Sequence, residues 1–134
     1  LFCVDRHRDS FNELINNDVD ILFANQDEIC ALADSKNINE GIAYAKSLGI
    51  LSIITLAEKG SIIISNDETI EIKPKPVSQV IDATGAGDLY AAGFLYGMTH
   101  SKNYEECGHL ASIAAAEIIS HFGARPQVKL SSLI

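Results

Sequence analysis

The sequence predicts an α/β fold with a mainly parallel sheet, and three observations carry that expectation. Short, continuous apolar runs such as "DVDILFAN" (18–25) and "ILSIITL" (50–56) look like strands covered on both faces. Between them lie segments whose apolar residues recur every three to four positions, the period of an amphipathic helix. Strands alternating with helices build βαβ units, and those run parallel. A third signal, "ND" (66–67) between "GSIIIS" and "ETIEIK", adds a β-hairpin and with it an antiparallel element.

Taken in order, "LFCV" (1–4) reads as the end of a buried strand. "RDSFNELINN" (8–17) reads as a helix with Phe11, Leu14 and Ile15 inward. After the strand at 18–25, residues 25–33 form a helix with Ile29, Leu32 and Ala33 inward. Residues 37–49 form another, on a stripe of Ile38, Ile42, Ala45 and Leu48, with Gly49 as its stop. The strand at 50–56 leads into the hairpin, whose second arm alternates Ile70 and Ile72 with Glu71 and Lys73 and ends at Pro74 and Pro76. "VSQVI" then enters a glycine-rich stretch and a helix at 88–99, whose Ala91, Ala92, Gly93 and Gly97 allow close packing on the sheet. A last helix, 103–121, opens with Asn103 as cap and Glu106 at the third position and closes at Gly123.

With 134 residues the chain suffices for one domain with a real core, or for a piece of a larger one. Ten basic against 18 acidic residues give a net charge of −8, and the only basic cluster is "DRHRD" (5–9). No face suits a phosphodiester backbone, so nucleic acid is not an expected partner. No apolar run is long enough to cross a bilayer, so neither is a membrane. Cys3, Cys30 and Cys107 are odd in number, widely spaced and without a C-x-x-C pair, as in the reduced thiols of a cytoplasmic protein. "LFCVDRHRD" lacks an initiator Met and the layout of a signal peptide, and it reads as a start in mid-sequence.

The chemistry concentrates in "DATGAGDLYAAGF" (82–94). Gly85, Ala86 and Gly87 let the backbone turn sharply into a helix, whose first amides are unpaired and sit at the positive end of the dipole, so they favour an anion. Asp88 would project into the same cavity. A carboxylate beside an anion hole suits alignment and late deprotonation of a hydroxyl that attacks a phosphoryl group. The plainer alternative is a glycine turn with Asp88 complementing the dipole. No Walker loop is present, and the third glycine of G-x-G-x-x-G would fall on Tyr90, so neither standard nucleotide motif applies.

This stretch resembles the second signature of the ribokinase-like (PfkB) carbohydrate and nucleoside kinases, with Ala83 where many members carry Thr or Ser. Three more segments agree in order. "DILFANQDE" resembles the strand ending in N-x-x-E, which implies that Asn25 and Glu28 organise Mg²⁺ and the ATP phosphates. "ITLAEKGSIII" resembles the nucleotide-contacting turn, implying Thr55, Ala57, Glu58, Lys59 and Gly60 near ATP, with Ala57 in place of the usual Gly. "AAAEIISHFGARP" resembles the closing helix and loop. Its similarity implies a monovalent-cation (K⁺) site made by Asp82 and Thr84 with carbonyls near Ile118, His121 and Gly123, and it puts Ser112 near the nucleotide.

The resemblance covers residues 1–134 but only the C-terminal part of a family member. It implies a three-layer α/β/α ribokinase-like fold, here its C-terminal half, carrying the ATP-binding and catalytic part of the domain. The implied reaction moves the ATP γ-phosphoryl group to a hydroxyl of a sugar or nucleoside. Asp88 is then the base and residues 85–87 the anion hole. Acceptor lid and homodimer contact belong to an absent N-terminal part, and the fragment alone is expected to be inactive. "FCVDRHRDSF" and "GARP" point toward the adenosine-kinase and related sugar-kinase branch. The alternative is a non-catalytic nucleotide- or metabolite-sensing module of the same fold. Asn25–Glu28, Asn37–Glu40 and Asn103–Glu106 all fit a helix capping box as well, and only the first follows a strand. His121 also fits a helix C-terminal cation, and Ser112 a structural serine.

Overall fold

A computed structural model describes residues 1–66 and 68–134. Its helices are α1 (Phe2–Arg6), α2 (Arg8–Asp18), α3 (Gln26–Leu32), α4 (Ile38–Ser47), α5 (Ala86–Thr99) and α6 (Tyr104–Ile118). Its strands are β1 (Ile21–Asn25), β2 (Leu51–Thr55), β3 (Ser61–Ser65) and β4 (Glu68–Ile72), in the sheet order β1-β2-β3-β4. Two compact units divide these residues, 1–56 with 62–70 and 57–61 with 71–134.

In the first unit β1 and β2 run parallel, with Ile21 opposite Leu51 and Asn25 opposite Thr55. Five residues join β2 to β3 and two join β3 to β4. Neither link is long enough for a parallel crossover, so those neighbours run antiparallel and the sheet is mixed. Asn66 of the expected hairpin turn has φ +36°; Asp67, the other turn residue, lies outside the described residues. Ile15, Ala24, Ile29, Leu32, Ala45, Ile54 and Ile64 form the core of this unit. Ile29 and Ile54 are wholly buried, each contributing about 1.5–3 kcal/mol through lost apolar exposure.

Three expectations at the start of the chain need correction or trimming. "LFCV" is helix, not strand: the Asp5 amide donates to the Leu1 carbonyl and the His7 amide to that of Cys3, both at 3.0 Å. Arg6 stacks 4.3 Å over the Phe2 ring one turn away. Four apolar residues carry no period of their own, and the sheet offers them no partner strand. Leu14 is 51 % exposed, so α2 turns only Ile15, and in part Phe11, to the core. Asp18 belongs to α2, which leaves β1 shorter than the apolar run around it.

In the second unit α5 packs on α6. A Cβ at Gly93 would stand 2.8 Å from the Ala111 Cα, and one at Gly97 2.8 Å from the Cys107 Sγ. These small residues therefore face α6, rather than the sheet as expected. Phe94, wholly buried, stacks on Tyr104 at 6.3 Å between centroids. α6 ends at Ile118, three residues before the expected 121, because the Ile119 carbonyl turns to accept the amides of Ile81 (2.8 Å) and Asp82 (3.4 Å). Asn103 and Glu106 form the expected capping box. Cys30 and Cys107 are buried, and that desolvation raises both thiols above their ordinary range.

A short turn of helix, Ala57–Lys59, leads to Gly60, whose φ is +92° and whose added Cβ would lie 2.0 Å from the Ile72 carbonyl oxygen. Neither condition admits a side chain. Ala57 is left-handed too, at φ +52°. Opposite stability effects are expected in urea denaturation of the full-length protein. Gly60→Ala should destabilise by more than about 3 kcal/mol, whereas Ala57→Gly should stabilise by about 0.5–1 kcal/mol by releasing left-handed strain.

Candidate active site

The Asp82 carboxylate gathers the loop that precedes α5. Its Oδ1 accepts the Thr84 amide at 2.9 Å and the Thr84 hydroxyl at 2.6 Å, and its Oδ2 accepts the Gly123 amide at 3.0 Å. Donors from Thr84 and Gly123 favour the ionised form and lower its pKa from 3.8 to about 2. Asp82, Thr84 and Gly123 are thus brought together as expected, although 41 residues separate the first and last in sequence.

Gly85 caps α5 with φ +82°, and its Cα faces Ala124, whose Cβ would be 3.0 Å from an added one. One expectation is corrected here. The Ala86 amide is not free, since it donates to the Ala83 carbonyl at 3.1 Å. Among the described residues the amides of Gly85, Gly87 and Asp88 have no protein acceptor. Open space lies over Gly87, and Asp88 is the third helical residue, exposed and without a polar partner. Unpaired amides at the positive end of a 14-residue helix, with a free carboxylate among them, can hold an anion beside a proton acceptor.

The other candidates divide. Asn25 and Glu28 form a complete capping box at the start of α3, with both bonds at 2.9 Å. Asn37 caps α4 by accepting the Asn39 amide on its side chain, and the Glu40 amide donates to the Asn37 backbone carbonyl at 3.0 Å rather than closing a capping box. Thr55 belongs to the first unit and 57–60 to the second; Glu58 and Lys59 are exposed, with no ion pair among the described residues. Ser112 is nearly buried, and its hydroxyl donates to the Lys73 carbonyl at 3.4 Å. The Ile118 side chain is buried, and the His121 ring is bound to Glu117 at 3.0 Å. Carbonyls of Ile118, His121 and Gly123 accept no backbone hydrogen bond. Among the described residues no group of three or more His, Cys, Asp or Glu could hold a metal ion, and no helix is long and apolar enough to cross a membrane. Sequence reasoning missed Glu117, because a glutamate inside a helix ordinarily reads as solvated.

Comparison with known proteins gives the family and the fold. The model of the pfkB family of carbohydrate kinases matches residues 4–130. The chain belongs to that family. This pfkB chain is 40 % identical to the adenosine kinase of Sinorhizobium meliloti, with a TM-score of 0.94 over 98 % of its own length and 40 % of that chain. A probable sugar kinase from Rhizobium etli gives 36 % and 0.93 over 99 % and 42 %. Against the ribokinase of Arabidopsis thaliana, whose structure holds ribose and ATP, the values are 31 % and 0.78 over 91 % and 41 %. The fold is therefore the ribokinase-like α/β fold, and the chain spans about two fifths of these solved relatives.

The Asp82 clamp has a pH signature. A carboxylate whose pKa is depressed on folding contributes stability above its unfolded pKa and loses it as the pH falls through the folded one. The stability difference between the full-length protein and its Asp82→Asn variant should be constant above about pH 5 and shrink from pH ~4 to ~2 in denaturant titrations.

Proposed function

We propose that these residues are the ATP-binding and catalytic part of a kinase that transfers the γ-phosphoryl group of ATP to a hydroxyl of a sugar or nucleoside. The observation that carries this reading is the exposed, unpartnered Asp88 beside free amides of Gly85, Gly87 and Asp88 at the start of α5. Asp88 orients the acceptor hydroxyl and takes its proton as the new O–P bond forms. The bond from the γ-phosphorus to the β–γ bridging oxygen breaks, and ADP leaves. The amides bear the charge spread over the equatorial oxygens. An aspartate of ordinary basicity suffices, because a loose transition state asks chiefly for alignment and a late proton transfer.

Mg²⁺, arriving on the nucleotide phosphates, would supply charge neutralisation. One Glu28 oxygen accepts the Asn25 amide, and by the family resemblance Asn25 and Glu28 would order the ion, in part through water. A monovalent cation such as K⁺ fits the uncommitted carbonyls of Ile118, His121 and Gly123 with the Thr84 hydroxyl. Asp82, with three donors in place, arranges that loop. ATP contact by residues 55–60 and by Ser112 rests on the family resemblance. Acceptor choice and any dimer contact are assigned to lid residues outside these 134. The adenosine kinase and ribokinase relatives support hydroxylated sugars and nucleosides as the class to screen.

Asp88→Asn in the full-length protein should lower kcat by about 10²–10⁴-fold while ATP affinity stays within a few-fold, read by coupled ADP release and calorimetry. A variant as active as the parent refutes the assignment; a parent with no turnover on any sugar or nucleoside favours a nucleotide-sensing module. Residues 1–134 expressed alone should release no ADP above background in the same assay.

A further inference from the structure

We propose that Glu117 is a positioning residue for phosphoryl transfer, fixing the 119–127 loop that supports Gly85; the inference rests on the kinase reading above. Its side chain is 9 % exposed in the last turn of α6. One oxygen, Oε1, takes the His121 Nε2 at 3.0 Å and the Gln127 amide at 2.9 Å. The other, Oε2, is buried with no partner among the described residues. Stability alone would favour an apolar side chain of like volume there, since burying a half-satisfied carboxylate is costly. What the carboxylate provides, and an apolar group cannot, is a pair of fixed hydrogen bonds to residues four and ten positions ahead.

Those bonds matter because beyond Ile119 the loop has few other tethers. Residues 122–129 are all exposed, and Phe122 is 79 % exposed, so burial does not anchor this stretch. Polar tethers remain. Asp82 holds the Gly123 amide, the Ile119 carbonyl takes the Ile81 and Asp82 amides, and Glu117 grips His121 and Gln127 on either side of Gly123. Ala124 lies between the tethers, against the left-handed Gly85. Release at Glu117 frees the far end of the loop, loosens the support behind Gly85, and lets the amides and Asp88 drift from the transferring group. A misplacement of about 1 Å can cost ~10²-fold in rate.

The test uses the full-length protein and compares kcat per folded enzyme for Glu117→Leu, Glu117→Gln and, in parallel, Asp88→Asn. Glu117→Leu should lower kcat at least about tenfold while the acceptor KM stays within about twofold. Glu117→Gln, which keeps an oxygen for Gln127 and His121, should retain at least about a third of the parental kcat. Combined with Asp82→Asn, Glu117→Leu should fall short of a multiplicative loss, because both act on one loop. If Glu117→Leu fails to fold by circular dichroism, Gln127→Pro removes the amide donor from the exposed loop and should show the same selective loss of kcat. Parental kcat in Glu117→Leu or Gln127→Pro, a glutamine variant as damaged as the leucine one, or a fully multiplicative double variant overturns the inference. If Asp88→Asn also keeps its kcat, it is the kinase reading that falls; if only Asp88→Asn collapses, Glu117 alone is misassigned.

Discussion

Gly85 must satisfy two demands at once: a left-handed backbone at φ +82° and a Cα pressed against Ala124, 3.0 Å from where a Cβ would be. An L side chain meets the first only at a cost of about 1–2 kcal/mol and the second only by pushing the neighbouring loop aside. This turn starts α5 at Ala86. It thereby leaves amides without carbonyls to bind and sets Asp88 in the first turn, where the helix dipole is felt most strongly. Site chemistry follows from where that helix begins.

Support for the turn comes from charge rather than from burial. Residues 122–129 present themselves to solvent, yet the loop is held on one side by Asp82 and on the other by Glu117. Asp82 is exposed enough to be well solvated, and its three donors stabilise the ionised form. Glu117 is nearly buried and leaves an oxygen unpaired. Apolar packing acts elsewhere, between α5 and α6, where Gly93 and Gly97 bring the helix backbones close.

Local grammar made much of this legible in advance. The capping residues Asn25, Asn37 and Asn103, the hairpin arms and the glycine junction all depend on neighbours a few positions away, which a linear reading can weigh. "LFCV" misled because an apolar run of four fits a strand or a helix face equally, and only the backbone bonds from Asp5 and His7 decide. The free amides were anticipated one residue out of place, since the Ala83–Ala86 turn depends on torsions that the letters do not state. Ser112 and Glu117 were obscure for a longer-range reason: Lys73 is 39 residues from the first and Gln127 ten from the second. Direct similarity to family motifs pointed to the signature stretch and to the Asp82–Thr84–Gly123 cluster, while the Glu117 contacts emerged only from the fold.

The central claim is that the start of α5 receives the transferring phosphoryl group, with Asp88 on the acceptor. The most direct measurement is a crystal structure of the full-length protein with ADP, an acceptor and a planar metal-fluoride mimic of that group. The account predicts the mimic within about 3 Å of the Gly87 or Asp88 amide, and the Asp88 carboxylate within hydrogen-bonding distance of the acceptor hydroxyl. A mimic seated away from the helix start, or an Asp88 carboxylate turned from the acceptor, would contradict it.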